Sequence, residues 1–162
     1  MKNKLNPDFF IVGAPKCGTT SLYSYLKQHP EIFMPDRKEP HFFGTDLKWN
    51  RMNGLDLDGY NELFTLSKDN SLTGEASVYY LFSDLAPFEI KKYNPKSKII
   101  IALRNPTELI YSLHSQFLYS GNEDIENFDT ALRLEKQRKS GKNIPPNIDL
   151  LEKVFYKSYI YK

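Results

Sequence analysis

Cysteine occurs once in the 162 residues, at Cys17, so no internal disulfide can staple the chain and a reducing setting is the simplest reading. No apolar run approaches the ~20 residues that a membrane span requires, and the opening Met1-Lys2-Asn3-Lys4-Leu5-Asn6 lacks the apolar stretch of a secretory signal. No membrane span and a cytoplasmic location are therefore expected. Neither sign of charge is in excess. The 22 basic and 20 acidic residues leave a formal net charge of +2, which gives no general reason to expect nucleic-acid binding. An anion site has to be built locally. Internal repeats and low-complexity segments are absent as well.

What is present suits a globular protein: 40% hydrophobic and 26% charged residues, in a length that fits a single domain over residues 1–162. The 11 tyrosines and 11 phenylalanines point first to bulky packing, and only second to a surface for sugars or adenine.

Residues 8–12 are apolar and aromatic and stop at Gly13, as a buried parallel strand does before a loop. From Thr19 a helical pattern carries Leu22, Tyr25 and Leu26 and fades near Pro30. Prolines at 35 and 40 forbid a regular helix around Lys38-Glu39-Pro40-His41-Phe42-Phe43 and favour an irregular extended path. Residues 44–59 read as a surface excursion and 60–66 as a short helix. Residues 71–75 read as a strand, 76–82 as loop or short helix, and 84–93 as a helix with Pro87 in its first turn. The β-branched run 98–103 is the best strand and is expected to be central. Helices are expected at about 106–120 ending near Gly121, at 128–138 and at 148–161, with an exposed loop at 141–146.

Strands alternating with helices imply an α/β fold with a mostly parallel sheet, whose ligands bind at the carboxyl ends of the strands. Three convincing strands are few for such a sheet, and the chain stops inside a helical pattern. A domain truncated at its C-terminal side is expected.

Gly13-Ala14-Pro15-Lys16-Cys17-Gly18-Thr19-Thr20-Ser21 sits between the first strand and helix, where a Gly-containing loop and the free amides of a helix start make a cradle for an anion. A nucleotide kinase loop is written GxxxxGK[ST]. Gly13 and Gly18 have that spacing, but Thr19 stands in the lysine's place and Lys16 lies inside the loop. The run 98–103 is followed by Arg104, where a Mg²⁺-binding NTPase commonly carries an aspartate. These departures favour an anionic ligand held without metal.

Three stretches then resemble one family. The loop from Phe10 to Leu22 is similar to the 5′-phosphosulfate loop of sulfotransferases that use 3′-phosphoadenosine 5′-phosphosulfate (PAPS). Lys38-Glu39-Pro40-His41-Phe42-Phe43 resembles the carbohydrate, heparan-sulfate-type branch and its bacterial relatives, and Arg104-Asn105-Pro106-x5-Ser112 resembles the 3′-phosphate element. The resemblance implies a P-loop-like three-layer fold, of which this chain holds the N-terminal half to two-thirds. It also implies transfer of a sulfuryl group from PAPS to a hydroxyl or amine of a small molecule or glycan. In that reading Lys16, Cys17, Gly18, Thr19, Thr20 and Ser21 hold the 5′-phosphate side, and Arg104 and Ser112 hold the 3′-phosphate. Lys16 meets the charge left on the departing phosphate, and Glu39 is the general base, with prolines and aromatics around it raising its pKa.

His41 is a second base, a partner of Glu39 or a packed histidine, and the residues do not rank these. Gly74-Glu75-Ala76-Ser77-Val78-Tyr79-Tyr80 resembles a further active-site segment. Some glycan enzymes carry a lysine there where this chain has Ala76, so Glu75 is read as structural. Arg37 and Lys38 read as a solvated charge cluster, and Cys17, with no base assignable beside it, as a packing residue. Two other readings remain: a metal-dependent nucleotide kinase, and a non-catalytic nucleotide-binding or interaction fragment.

Overall fold

The structure, a computed structural model, describes residues 6–47, 54–68 and 71–145. The chain packs as two compact units, residues 1–103 and 104–162.

The first unit is built on a four-stranded parallel sheet in the order β2-β3-β1-β4. Its strands are β1 (Phe9–Gly13), β2 (Ile32–Phe33), β3 (Leu72–Ala76) and β4 (Lys98–Ile101), and its helices are α1 (Thr19–Lys27), α2 (Leu57–Glu62), a 3₁₀ turn (Tyr80–Phe82) and α3 (Ala86–Tyr93). β1 pairs with β3 in the register Phe10 to Glu75, and with β4 in the register Phe10 to Ile99.

Successive residues of a strand face opposite sides of the sheet, and β1 is buried on both. Phe10 and Val12 join Phe43, Tyr60, Phe64, Tyr80, Ala86 and Ile90 on one side. Phe9 and Ile11 join Tyr23, Met34 and Ala76 on the other, with Leu22 and Leu26 of α1 beside them. Helices therefore cover both faces, giving the expected α/β three-layer order. Asp56 caps α2 by accepting from Gly59 N–H at 2.8 Å, so this helix starts earlier than its apolar pattern suggests. Pro87 falls in the first turn of α3, where its missing N–H breaks nothing.

Two expectations need correction here. The short β2 is a fourth strand, too brief to show a sequence period. β4 is not central: among the described residues it pairs with β1 alone and forms an edge, with Ile99 and Ile101 49% and 50% exposed. Its β-branched run reflects local strand propensity, which does not report how many neighbours a strand has.

In the second unit α4 (Pro106–Ser120) starts at the Asn105 cap, whose side chain accepts from Thr107 N–H at 2.9 Å, and ends at Gly121 in the left-handed conformation. The expected single helix at 128–138 is two, α5 (Phe128–Arg133) and α6 (Glu135–Lys139), meeting at Leu134. Arg138 on α6 is 1% exposed and ion-paired with the equally buried Glu123, a tertiary contact that a helical pattern alone does not encode. The helix expected at 148–161 lies outside the described residues. Among those described, no helix is long and apolar enough to cross a membrane.

Candidate active site

β1 delivers the chain to its loop at the carboxyl end of the sheet. Gly13, at φ 149°, is required there, because a Cβ would lie 2.8 Å from the Val78 carbonyl and 2.9 Å from Leu81 Cβ. Ala102 fixes the loop's first residues, donating to Gly13 O and accepting from Ala14 N–H, both at 2.8 Å. Lys16, half-buried, and Gly18 both hold positive φ, 60° and 78°.

Gly18 is the N-cap of α1 and brings no side chain to cap it. The first amide to bond back into the helix is that of Leu22, to Gly18 O at 3.0 Å. The amides of Thr19, Thr20 and Ser21 thus have no intrahelical carbonyl to reach, and no acidic residue occupies the first turn. Partial positive charge, unused donors, two further hydroxyls exposed at Thr20 and Ser21, and Lys16 just upstream suit an oxyanion. Cys17 is a free, half-buried thiol whose N–H donates to Ala14 O at 3.3 Å.

The segment 34–44 crosses the carboxyl end of β3, the strand next to β1. Tyr23 of α1 anchors its start by donating to the Pro35 carbonyl at 2.5 Å, and Glu89 of α3 its end by accepting from Gly44 N–H at 2.6 Å. Between these ties, Glu39 N–H donates to Ala76 O at 2.9 Å and His41 N–H to Ser77 Oγ at 3.1 Å. Phe42 and Phe43 N–H both donate to the Tyr80 hydroxyl, at 3.0 and 3.3 Å. Glu39 and His41, at φ 58° and 46°, hold left-handed angles that non-glycine residues seldom adopt.

His41 is buried, with Nε2 3.5 Å from Glu39 Oε2 and its ring tilted against Tyr79 at 5.3 Å. This geometry sets the His41 imidazole against the Glu39 carboxylate. Lys38 is ion-paired to Glu39 Oε1 and mostly covered, so it is not the solvated charge expected. Glu39 also departs from expectation. Burial does push its carboxyl up, but hydrogen bonds from His41 and Lys38, with the Lys38 charge, outweigh burial and hold it at about 2. The aromatic and proline neighbours were visible in the sequence; the lysine's approach was not.

Glu75 is fully buried on β3, where burial pushes its carboxyl up to about 7 against the hydroxyls of Ser77, Tyr80 and Tyr60. Tyr80 and Tyr60 donate to its Oε2 at 2.8 and 3.2 Å. Tyr80 lay in a stretch marked by resemblance, whereas nothing in the sequence connects Tyr60 to Glu75.

Arg104 and Ser112 belong to the second unit. Arg104 is partly exposed and pairs with Glu108 one turn along, through Nε at 3.2 Å and NH2 at 2.9 Å. Ser112 is half-buried on α4, two turns beyond Arg104.

Comparison with known proteins fits this arrangement. The family profile described as "Sulfotransferase domain" matches residues 6–158. Carbohydrate sulfotransferase 15 of Homo sapiens is 31% identical over 75% of this chain and 29% of its own length. Heparan sulfate glucosamine 3-O-sulfotransferase 6 of Homo sapiens is 32% identical over 69% of this chain and 31% of its own. The chain thus spans under a third of the length of these curated relatives. The crystal structure of a sulfotransferase from Alicyclobacillus acidocaldarius superposes with a TM-score of 0.75 at 31% identity, covering 96% of this chain and 69% of that one. With residues 6–158 of the 162 matched by the profile and the fold shared with a solved sulfotransferase, this chain belongs to the sulfotransferase domain family.

Proposed function

We propose that the chain is a sulfotransferase that moves a sulfuryl group from PAPS to a hydroxyl or amine of a carbohydrate acceptor. One observation carries this reading. An anion cradle at the end of β1 and a strained, ion-paired carboxylate beside the end of the adjacent β3 lie at the same, carboxyl end of a parallel sheet, where α/β folds bind their ligands.

The residues fit the donor. The first-turn amides of Thr19, Thr20 and Ser21 suit its 5′-phosphate, and Lys16 suits the phosphosulfate bridge. Arg104 and Ser112 are assigned the 3′-phosphate on the resemblance of Arg104-Asn105-Pro106-x5-Ser112 to the family's element, and a guanidinium fork and a hydroxyl suit a phosphate monoester. PAPS supplies an activated sulfuryl group. Glu39 takes the proton from the acceptor as the acceptor's oxygen or nitrogen bonds to sulfur. Lys16 meets the charge left on the bridging oxygen as its bond to sulfur breaks. Held ionised, Glu39 is in the state a base requires, and an acceptor reaches it in competition with Lys38. The carbohydrate class rests on the relatives named above and on the Lys38-Glu39-Pro40-His41-Phe42-Phe43 stretch.

The test is sulfate transfer from labelled PAPS to a panel of sugars, beside thermal stabilisation by 3′,5′-adenosine bisphosphate without Mg²⁺. Transfer should disappear in Glu39→Gln while stabilisation persists, and stabilisation should fall in Lys16→Ala and Arg104→Ala. Stabilisation by Mg²⁺–ATP alone would return the site to the kinase reading. Binding without transfer to any acceptor would leave a nucleotide-binding module.

A further inference from the structure

Every backbone N–H of the base-bearing turn lands on one short stretch of chain. Pro40 has no N–H, and those of Glu39, His41, Phe42 and Phe43 go to Ala76 O, Ser77 Oγ and the Tyr80 hydroxyl. Two left-handed residues within three positions do not persist unless their surroundings over-determine them, so what fixes 76–80 also fixes Glu39 and His41.

A tyrosine hydroxyl has one proton and two lone pairs. Tyr80 sends its proton to Glu75 Oε2 at 2.8 Å, which leaves its oxygen turned toward the amides of Phe42 and Phe43. Tyr60 donates to the same Oε2 at 3.2 Å, and its ring stacks on Phe42 with centroids 4.3 Å apart and planes 13° apart. It also meets Phe43 edge-on at 5.4 Å. One carboxyl thus orients two phenols, and each phenol touches the residues directly after His41. Glu75 Oε1 is fully buried and has no hydrogen-bond partner among the described residues. A group held only for packing would not need a carboxyl there, since an apolar side chain of similar size avoids the cost of a buried orphan oxygen.

We propose that Glu75 is a positioning residue for the Glu39–His41 pair, acting through the Tyr80 hydroxyl and the Tyr60 ring on the backbone that follows His41. The inference rests on the sulfotransferase reading for its consequence in turnover, though the coupling itself is a property of the fold. The groups facing Glu75 are Tyr60 from α2, Tyr80 from the 3₁₀ turn, Ser77 just beyond β3, and at longer range Tyr93 from α3 and Glu39 from the segment 34–44. Burial is the main cause of its raised pKa of about 7. Its charge therefore changes near neutral pH, and with it the strength of the Tyr80 hydrogen bond.

Amide resonances read this coupling without turnover. In the wild-type chain the Phe42 and Phe43 N–H shifts should move together with a midpoint near pH 7, and Glu75→Gln should abolish that transition. Tyr80→Phe, which removes one oxygen from a buried ring, should lower kcat for sulfate transfer about tenfold or more while the dissociation constant for 3′,5′-adenosine bisphosphate stays at its wild-type value. A scaffold contact alone would not split kcat from donor affinity. The proposal is overturned if Glu75→Gln leaves the amide titration intact, or if Tyr80→Phe turns over at the wild-type rate. If the wild-type chain transfers no sulfate, the activity reading fails, and the amide titration still decides the role of Glu75.

Discussion

His41 Nε2 lies 3.5 Å from Glu39 Oε2, and both residues stand at positive φ, 46° and 58°, with only Pro40 between them. Each left-handed non-glycine residue costs on the order of 1–2 kcal/mol. That strain is tolerated because bonds to residues 76–80 hold the turn, which sets the imidazole against the carboxylate.

Lys38 tests how that carboxylate is tuned. Burial raises the Glu39 pKa, and the His41 and Lys38 hydrogen bonds and the Lys38 charge bring it down to about 2. In Lys38→Met burial meets less opposition, so the pKa rises and the acid limb of the kcat/KM profile moves up by about one pH unit. The sign for stability follows from linkage. A depressed carboxylate contributes stability that is present above its ordinary value of 4.5 and lost as pH falls toward 2. Lys38→Met should therefore flatten the acid side of the unfolding curve. An unmoved limb would mean that Lys38 does not reach Glu39 in solution.

The two glycines of the loop between β1 and α1 are needed for different reasons, and alanine separates them. At Gly13 a Cβ meets Val78 O at 2.8 Å and Leu81 at 2.9 Å, with φ 149° besides, so Gly13→Ala should cost about 3 kcal/mol. At Gly18 a Cβ meets nothing within 4 Å among the described residues and only φ 78° opposes it, giving about 1 kcal/mol. Urea midpoints for the two variants check the ranking, and equal losses would contradict it.

Much of this was legible in the chain. The apolar run closed by Gly13, the Thr19 helix start and the Gly121 cap are local signals, written in residues adjacent to the structure they specify. The grouping of Lys16, Glu39 and the hydroxyls into one site came from resemblance and not from any local signal. What escaped was set by where the fold places side chains and strands, for neighbours in sequence as well as for distant residues. Ile99 and Ile101 read as a central strand because propensity does not count neighbours. Lys38 read as solvated because nothing local shows that it folds onto Glu39. Tyr60, fifteen positions before Glu75, carries no mark of its partner.

In the second unit, Arg138 and Glu123 form an ion pair with side chains 1% exposed. Glu123 Oε1 also accepts from the Asp124 and Ile125 amides at 3.0 and 2.9 Å, and Arg138 Nε donates to Asn143 O at 3.1 Å, so both charges are well satisfied. Breaking such a pair from one side leaves a buried charge and costs about 3–5 kcal/mol, whereas replacing both with apolar residues costs far less. Arg138→Met should thus destabilise strongly, and Arg138→Met with Glu123→Leu should recover most of the loss. A double variant as unstable as the single one would show that the pair's hydrogen bonds to the loop, rather than its charges, hold this region.

Glu75 predicts a pH dependence opposite in sign to that of Glu39. Its pKa is raised from 4.5 to about 7, chiefly by burial, so between those values the unfolded chain gives up a proton that the folded one keeps. Stability from this group is full below about pH 4.5, falls as pH rises through the interval, and is gone above about 7. At 1.36 kcal/mol per unit the span is about 3 kcal/mol. Glu75→Gln cannot ionise, so its stability relative to wild type should climb by up to that amount between pH 4.5 and 8, whatever constant offset the amide introduces beside Oε1. Denaturant unfolding of both proteins across that range isolates the slope from the offset. A flat difference would mean that Glu75 titrates in the fold as it does in the unfolded chain, and that the phenols of Tyr60 and Tyr80 compensate fully for its burial.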